Sequence, residues 1–260
     1  MTAAIAFDNV SKTYEDGRVR ALDGVSLDVA EREFVAVVGP SGSGKTTLLQ
    51  LVNRLAEPTS GTVAVEGADV RAADPIALRR RIGYVFQGIG LFPHMTVAEN
   101  IAVTPRLLGW DARRRAARVE ELIDLVRLSR EQAARYPHQL SGGERQRVGV
   151  ARALAAKPRI VVMDEPFGAL DPINRDAIGR DYRHLHDELG LSTVMITHDM
   201  LEAVLLADRI AVMQAGRVIA QGTPHELMTG AHGGYVDELM TTPRRQAERL
   251  SALMDRGARA

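Results

Sequence analysis

The sequence predicts an α/β fold: a mainly parallel sheet core with an N-terminal antiparallel β subdomain and an inserted helical subdomain. Three observations support this fold class. Continuous apolar runs such as Phe34–Val38 are typical of strands that are buried on both faces. Helical stretches separate these runs, and strands that alternate with helices form parallel sheets covered on both sides. The first thirty residues instead alternate apolar and polar side chains, which is typical of antiparallel strands.

The elements follow from the N-terminus onward. Apolar residues alternate with polar ones on both sides of a turn at residues 15–17, which predicts two antiparallel strands. The apolar run at 34–38 predicts a buried strand, and a glycine-rich turn and a helical stretch to about Leu55 follow it. A loop at 58–61 then precedes a short predicted strand at 62–65.

The rest of the chain divides into a helical part and three further strands. From about residue 96 to 156 the pattern is helical, and in 113–128 the apolar residues share one face of a 3.6-residue repeat. Further strands are predicted at 160–163, 193–196 and 209–213. We therefore divide the chain into an α/β core with its antiparallel subdomain at 1–87 and 158–222, a helical subdomain at 88–157, and a short C-terminal helical tail at 223–260.

The composition excludes several classes of protein. The 260 residues contain no cysteine, so disulfide scaffolds and thiolate metal sites are impossible. The 33 basic and 33 acidic residues balance, which argues against a protein that holds nucleic acid by bulk electrostatics. No apolar stretch reaches the roughly 18 residues that span a bilayer, and the N-terminus lacks the basic and apolar regions of a signal peptide. We therefore expect a soluble, cytoplasmic chain that does not bind nucleic acid.

The strongest motif is a glycine-rich segment between the buried strand at 34–38 and the helix that follows. It fits the pattern G-x-x-x-x-G-K-[ST], in which backbone N–H groups and a helix N-terminus hold phosphate oxygens. Lys45 can reach the β- and γ-phosphates, and the Thr46 hydroxyl can ligate Mg²⁺. A glycine-rich turn without a ligand is the alternative interpretation. The predicted nucleotide-binding residues of this segment are Gly39, Pro40, Ser41, Gly42, Ser43, Gly44, Lys45, Thr46 and Thr47.

A second motif, Asp164-Glu165, follows the predicted strand at 160–163. A phosphate loop needs a carboxylate that holds the metal and a group that activates water. We predict that Asp164 serves the Mg²⁺ and that Glu165 is the general base or orients the attacking water. Two acidic residues after a strand are a weak signal alone, but the phosphate loop makes the catalytic interpretation the favoured one.

The segment LSGGE at 140–144 allows two interpretations. Ser141 and Glu144 have the spacing of a capping box, which simply starts a helix. Gly142 and Gly143, however, leave the backbone N–H groups of that helix N-terminus uncovered, as in an anion site. Since the chain has one phosphate loop, we infer that this second anion site closes over a nucleotide held by another subunit.

Taken together, these motifs resemble those of the ATP-binding cassette ATPases. The features that carry the resemblance, in their order along the chain, are the phosphate loop, Gln87, LSGGERQ at 140–146, IVVMDEP at 160–166, GALD at 168–171 and His198. The match covers about residues 5–228. It implies the RecA-like fold of the P-loop NTPases, with ATP and Mg²⁺ as nucleotide and metal.

The resemblance also implies individual roles. Tyr14 resembles the aromatic residue that stacks on adenine, and Gln87 resembles the glutamine that senses Mg²⁺ and the transport partner. Asp171 resembles the aspartate that links two sites across a dimer, and His198 the histidine that contacts the γ-phosphate. The residues that resemble the signature for the opposite subunit's γ-phosphate are Ser141, Gly142, Gly143 and Glu144. The predicted catalytic set is Glu165, His198, Lys45 and Gln87, and the predicted metal set is Thr46, Gln87 and Asp164. Gly168 lies where many relatives have serine.

One branch of the family matches further. The stretch 84–101 is similar to importer cassettes, and its Leu91, Phe92 and Met95 are a candidate apolar lip for a permease helix. Segments 88–94, 105–110 and 242–250 resemble the osmoprotectant branch, which imports glycine betaine, choline, carnitine, proline or related solutes. Too few residues follow Met228 for the regulatory modules of some members, so no regulatory domain is expected.

This resemblance implies an energy-coupling ATPase that works as a homodimer. Its partners would be integral membrane permease subunits and, indirectly, a solute-binding protein, with the ATPase peripheral at the cytoplasmic face of the inner membrane. An importer for polar amino acids is the next candidate. Proteins of other classes would be a non-transport cassette that acts on DNA or ribosomes, or a phosphate-loop kinase or GTPase. The LSGGE segment and the lack of an N-K-x-D motif argue against a GTPase.

Overall fold

The fold is built on two β-sheets of different kinds, in a computed structural model that describes residues 3–230, 232–242 and 245. One sheet is antiparallel and the other is mainly parallel. In chain order the strands are β1 (Ala3–Tyr14), β2 (Val19–Ala30), β3 (Phe34–Val38), β4 (Ser60–Val65), β5 (Ala68–Asp69), β6 (Ile82–Val85), β7 (Ile160–Asp164), β8 (Ser192–Ile196), β9 (Arg209–Gln214) and β10 (Arg217–Gly222).

Helices connect most of the strands of the parallel sheet. They are α1 (Lys45–Val52), α2 (Pro75–Arg81), α3 (Val97–Leu107), α4 (Ala112–Leu125), α5 (Gly142–Leu154), α6 (Pro172–Leu189), α7 (Met200–Leu206) and α8 (Pro224–Thr229). Short 3-10 turns lie at Glu15–Gly17, Arg130–Ala134 and Pro137–Gln139, and residues 234–242 are also helical. In the ranges that the structure describes, no helix combines the length and the apolar character that a bilayer crossing requires.

The antiparallel sheet has the strand order β2-β1-β4-β5. Its first two strands pair with Ile5 opposite Val29 and Phe7 opposite Leu27, so these four side chains share one face. All four are buried. The antiparallel arrangement predicted from the alternating N-terminal pattern is therefore confirmed.

The mainly parallel sheet has the order β10-β9-β3-β8-β7-β6. β3 pairs in parallel with β8 and β9, and β7 pairs in parallel with β8 and β6, whereas β10 runs antiparallel to β9 at one edge. The carboxyl ends of the parallel strands consequently meet along one edge of the sheet. In open α/β sheets this edge is where ligands bind.

Each face of β3 belongs to a different part of the core. Phe34, Ala36 and Val38 face a hydrophobic cluster that includes residues of α3 to α6. Val35 and Val37 face a second cluster, which joins α1 and the antiparallel sheet. Burial on both faces explains why this strand is a continuous apolar run in the sequence.

Some elements differ from the sequence-based expectation. α1 ends at Val52 rather than near Leu55, and the helix expected at 113–128 spans Ala112–Leu125. The strand β6 was not predicted, because it is short and contains Gly83. A Cβ at Gly83 would lie 2.7 Å from the carbonyl oxygen of Ala153, so glycine permits the close approach of α5. β10 was missed because it is an edge strand without a buried face.

The helices α3, α4 and α5 all lie between β6 and β7, in the segment expected to form a helical insertion. The exact domain boundaries at 87/88 and 157/158 remain predictions. In the expected C-terminal tail, α8 and the helical residues 234–242 are described, and Val236 and Met240 are buried against the core. Residues 243–244 and 246–260 of that tail lie outside the described residues.

A buried histidine gives the fold a testable pH dependence. His186 on α6 is 1% exposed, and its Nδ1 lies 3.0 Å from the Thr193 hydroxyl oxygen. Burial, with a smaller effect from the nearby Arg183 guanidinium, lowers the pKa of His186 below its ordinary value of 6.5. The unfolded chain therefore binds this proton more tightly, so stability is lost as the pH falls below 6.5.

We expect the free energy of unfolding of the wild type to fall more steeply between pH 7 and pH 5 than that of His186→Gln. Urea denaturation at several pH values measures this difference. His184→Gln is the matched control, because His184 lies on the same helix with its side chain 73% exposed. Parallel pH curves for the wild type and His186→Gln would contradict the assignment.

Candidate active site

The phosphate loop joins the carboxyl end of β3 to the N-terminus of α1. Gly39 has φ 153° and Gly44 has φ 98°, a region that residues with a side chain rarely adopt. A Cβ on Gly39 would run into the carbonyl oxygen of Met213, and one on Gly44 into that of Ala21. The two glycines thus let the loop pack tightly against the neighbouring β9 and β2. The helix α1 begins directly after the loop.

Lys45, the first residue of α1, holds the loop from inside. Its Nζ donates hydrogen bonds of 2.9 Å to the carbonyl oxygens of both Gly39 and Pro40, and the residue is 7% exposed. Burial lowers the pKa of Lys45, while the carboxylates of Glu165 and Asp164 act in the opposite direction. A buried ammonium group that faces two carboxylates in a glycine-rich loop is suited to receive phosphate oxygens.

Oxygen donors of the kind that magnesium prefers lie beside this loop. The Thr46 hydroxyl donates a 3.4 Å hydrogen bond to Oδ1 of Asp164, the last residue of β7. Burial raises the pKa of Asp164, which is 5% exposed. No cluster of three or more potential metal ligands among His, Cys, Asp and Glu occurs in the described residues. A hydroxyl and a single carboxylate nevertheless fit Mg²⁺, which takes one or two carboxylates together with substrate phosphates and water.

Glu165 follows β7, and residues at the ends of β6 and β8 contact it. Its Oε2 accepts a 3.2 Å hydrogen bond from Nε2 of Gln87, beyond β6, and lies 3.4 Å from Nδ1 of His198, beyond β8. The backbone N–H of Glu165 donates to the carbonyl oxygen of Ile196 at the end of β8. With φ 44°, Glu165 adopts a left-handed conformation that is unusual for a residue with a side chain.

The glycine at position 168 borders the same carboxylate. A Cβ placed on Gly168 would lie 3.6 Å from Cε1 of His198 and 3.8 Å from Oε2 of Glu165, both ordinary contact distances. The site therefore has room for a small side chain such as serine at this position. In this chain no side-chain hydroxyl from that position reaches Glu165 or His198.

The capping interpretation of the LSGGE segment is confirmed. The Ser141 hydroxyl accepts from the backbone N–H of Glu144 at 3.2 Å, and the Glu144 carboxylate accepts from the backbone N–H of Ser141 at 2.7 Å. The second of these bonds lowers the pKa of Glu144. Ser141 itself is exposed, so this helix N-terminus remains accessible from outside although it is capped.

Asp171 and the LSGGE segment at 140–144 both lie next to Asn174. Asp171 caps α6 by accepting hydrogen bonds from the backbone N–H and side-chain amide of Asn174, at 3.0 and 2.6 Å. The side-chain bond lowers the pKa of Asp171. A Cβ on Gly143 would lie 3.4 Å from Oδ1 of the same Asn174. The beginnings of α5 and α6 are thus packed side by side.

The predicted site residues form two groups within one chain. The phosphate loop, Asp164, Glu165, Gln87 and His198 converge at the carboxyl edge of the sheet. Over the residues that the structure describes, no hydrogen bond or ion pair joins Ser141 or Asp171 to the phosphate loop. Tyr14 lies closer to the first group, since its hydroxyl donates a 3.3 Å hydrogen bond to Gln50 on α1.

Sequence reasoning missed several charged and polar residues behind the site. Arg175 donates to Asp199, and the buried Thr197 donates to Glu202, which is 8% exposed. None of these residues belongs to a local pattern that predicts a contact. Their contacts arise because α6 and α7 both start at the same edge of the sheet.

Comparison with known proteins gives consistent matches. A family model described as ABC transporter matches residues 22–168. The glycine betaine/carnitine/choline transport ATP-binding protein OpuCA of Bacillus subtilis (strain 168) is 45% identical over 97% of this chain. The choline transport ATP-binding protein OpuBA of the same strain is 47% identical over 91% of the chain. The osmoprotectant import ATP-binding protein OsmV of Salmonella typhimurium (strain LT2) is 45% identical over 89%. The chain spans 67%, 62% and 62% of the lengths of these three relatives.

Solved structures give the same picture of the fold. The ATP-binding cassette MJ0796, in a dimeric post-hydrolysis state bound to ADP and Pi, matches with a TM-score of 0.76 and 36% sequence identity. The match covers 84% of this chain and 98% of that chain. This likeness confirms the predicted fold class, a P-loop NTPase with an antiparallel sheet beside a mainly parallel one.

Proposed function

The chain belongs to the ABC transporter family, and from this premise we propose that it hydrolyses ATP to drive solute import through separate membrane permease subunits. The observation that carries the proposal is the convergence of Gln87 and His198 on Oε2 of Glu165, next to a phosphate loop. A carboxylate in this position can accept a proton from a water that attacks the γ-phosphate. The solutes that we propose are osmoprotectant quaternary amines.

Each residue of the site has a distinct task in this proposal. The backbone N–H groups of residues 41–44 and the Lys45 ammonium would bind the phosphates, and Thr46, Asp164 and Gln87 would hold the Mg²⁺. Mg²⁺ bound with the nucleotide neutralises charge on the phosphate oxygens. Gln87 and His198 orient the Glu165 carboxylate, and the exposed His198 also reaches the γ-phosphate.

The functional unit that we propose is a homodimer with two ATP molecules at its interface. Within one chain, the exposed helix N-terminus at Ser141 makes no bond to the phosphate loop, so its uncovered N–H groups suit a nucleotide on a second copy. Asp171 lies beside this signature and would connect the two sites. The MJ0796 cassette, with its TM-score of 0.76, is dimeric, which supports this assembly.

A groove near Gln87 supports a permease partner. It encloses about 460 Å³, and its lining combines apolar side chains with Arg79 and Arg80 on α2 and Arg152 on α5. Phe86 and Phe92 on its rim are 44% and 41% exposed. Of the other lip residues, Leu91 packs partly against the core and Met95 is half-buried. We propose that an amphipathic helix of a permease binds here, at the cytoplasmic face of the membrane.

The choice of solute rests on the relatives rather than on residues of the site. OpuCA, OpuBA and OsmV carry choline, glycine betaine, carnitine or osmoprotectant in their names. A sulfate/thiosulfate import ATP-binding protein of Caulobacter vibrioides is also 45% identical, over 89% of this chain, so sulfate import is the second candidate. The solute itself would bind to the permease and to a solute-binding protein, where an aromatic cage suits a quaternary ammonium.

The test is reconstitution of the chain with the integral membrane subunits that copurify with it. Vesicles that contain this complex and internal ATP should accumulate radiolabelled glycine betaine or choline, but not sulfate or a polar amino acid. Uptake of sulfate alone would overturn the proposed solute class. Copurification of the chain with ribosomes or DNA, rather than with membrane subunits, would overturn the transport function.

Tyr14 provides a separate test of the nucleotide site. If adenine stacks on its ring, Tyr14→Ala should raise the Kd for ATP about tenfold, since a stacked base contributes about 1–3 kcal/mol. Tyr14→Phe is the matched control, because it removes the hydroxyl bonded to Gln50 and keeps the ring. Fluorescence titration with a labelled ATP measures both. Equal weakening by the two variants would assign Tyr14 to packing on α1 instead.

A further inference from the structure

Arg175 lies one turn into α6, behind the segment that carries Glu165 and Asp171. Its Nη2 donates hydrogen bonds to the backbone carbonyl oxygens of Gly168 and Leu170, at 3.4 and 3.1 Å. Its side chain is 26% exposed. The Nη2 end of this guanidinium is therefore bonded to the loop 165–171, which begins with the predicted base Glu165.

The other side of the same guanidinium faces the segment around His198. Nη1 of Arg175 donates a 3.0 Å hydrogen bond to Oδ2 of Asp199, the residue that follows His198. Asp199 in turn caps α7 by accepting from the backbone N–H of Leu201 at 2.8 Å. The segment 197–199 is thus fixed at its C-terminal end to Arg175.

A buried carboxylate completes this arrangement. Oε2 of Glu202 accepts a 2.6 Å hydrogen bond from the Thr197 hydroxyl, whose oxygen accepts from the backbone N–H of Asp199 at 3.0 Å. Oε1 of Glu202 lies 3.5 Å from Nε of Arg175, and neither of these two buried atoms has a hydrogen-bond partner in the described part of the chain. Burial raises the pKa of Glu202. The two atoms therefore form an ion pair of 3.5 Å between α6 and α7.

We propose that Arg175 is a positioning residue that sets the loop 165–171 against the segment 197–199, and so holds Glu165, Asp171 and His198 in register. Among the described side chains outside these two segments, Arg175 is the one that hydrogen-bonds to both. The planar guanidinium fork holds its five N–H donors in a fixed geometry that spans acceptors on two segments, whereas the lysine donors all radiate from one nitrogen on a flexible stem. The role in hydrolysis rests on the function proposed above.

The expected effect falls on turnover rather than on nucleotide binding. Arg175 makes no bond to the phosphate loop, so Arg175→Gln should leave the Kd of the isolated subunit for ATP within about twofold of the wild type. A displacement of about 1 Å at a catalytic group can cost about a hundredfold in rate. We therefore expect kcat to fall about ten- to a hundredfold, and Arg175→Lys to behave like Arg175→Gln.

The test compares these variants with Arg180→Gln, the matched control on the same helix. Arg180 forms an exposed ion pair with Asp176, one turn apart on α6, so its loss should change neither kcat nor Kd. A second variant, Asp199→Asn, keeps a residue that can cap α7 and removes the charge that faces Arg175. It should lower kcat in the same direction, by a smaller factor. Rates equal to the wild type in both Arg175 variants, or full activity in Arg175→Lys, would overturn the proposal.

Two further readouts separate positioning from general stabilisation. Amide hydrogen exchange without nucleotide should accelerate at both 165–171 and 197–199 in Arg175→Gln, but not in Arg180→Gln. Faster exchange in only one segment, or in neither, would overturn the proposal whether or not the wild type hydrolyses ATP. In kinetics, Arg175→Gln and His198→Ala should be non-additive, because the placement of His198 against Glu165 is one of the contacts that Arg175 maintains. Additive losses would also overturn it, whereas a wild type without ATPase activity would overturn the proposed function alone.

Discussion

Glu165→Gln should lower kcat for ATP hydrolysis by about a thousandfold and leave ATP bound in a stable dimer. The amide keeps the shape of the carboxylate but cannot accept the proton of the attacking water, and general-base catalysis contributes about 10²–10⁴-fold. Phosphate binding should persist, because Lys45 and the loop 39–44 are unchanged. Phosphate release measures the rate, and size-exclusion chromatography with Mg²⁺ and ATP measures the dimer.

Glu188→Gln is the control for this substitution. Glu188 lies near the C-terminal end of α6 with its side chain 56% exposed, and the same chemical change there should leave turnover and the oligomeric state at wild-type values. Hydrolysis by Glu165→Gln at the wild-type rate would show that the role given to Glu165 is wrong. A slow enzyme that stays monomeric with ATP would contradict the dimer instead.

Ser141→Arg should abolish the ATP-dependent dimer and lower hydrolysis by about a hundredfold or more, while the isolated subunit still binds ATP. The large side chain would occupy the exposed helix N-terminus that we propose for the γ-phosphate of a second copy. Loss of the Ser141 cap also costs about 1 kcal/mol of stability. Nucleotide affinity, dimer formation in the Glu165→Gln background and thermal unfolding together distinguish the two effects.

Thr223→Arg is the matched control, because it places the same side chain at the N-cap of another helix. Thr223 begins α8 with the same kind of capping box, in which the backbone N–H of Glu226 donates to its hydroxyl at 3.2 Å. Its substitution should cost similar stability and preserve dimerisation and hydrolysis. Equal losses of activity in the two variants would show that Ser141 acts only as a helix cap.

Features that depend on neighbouring residues in the sequence were predictable. The buried strand at 34–38, the phosphate loop and the acidic pair at 164–165 follow from local patterns, and the structure brings the loop and this pair together at the carboxyl edge of the sheet. The capping box at Ser141 was equally visible, because its two bonds connect residues three positions apart. The family resemblance added the other site residues, whose roles remain predictions.

Features that depend on distant contacts were not predictable in this way. β6 looks unlike a strand because Gly83 interrupts it, and its reason is the backbone of α5 seventy residues away. Arg175 reads as an ordinary charge on an amphipathic helix, because its partner Asp199 belongs to a separate element. Such contacts are set by the strand order, which no single segment of the sequence encodes.

That strand order has a consequence for how the site tolerates change. Gln87, Glu165 and His198 each lie within two residues of the ends of β6, β7 and β8, three immediate neighbours in the sheet. The distance between hydrogen-bonded strands, about 4.8 Å, therefore sets the spacing of these three side chains. Exposed substitutions far from these strand ends, such as Arg180→Gln on α6, should leave this spacing unchanged. The outer surface of the molecule can thus vary in sequence without moving these three side chains relative to one another.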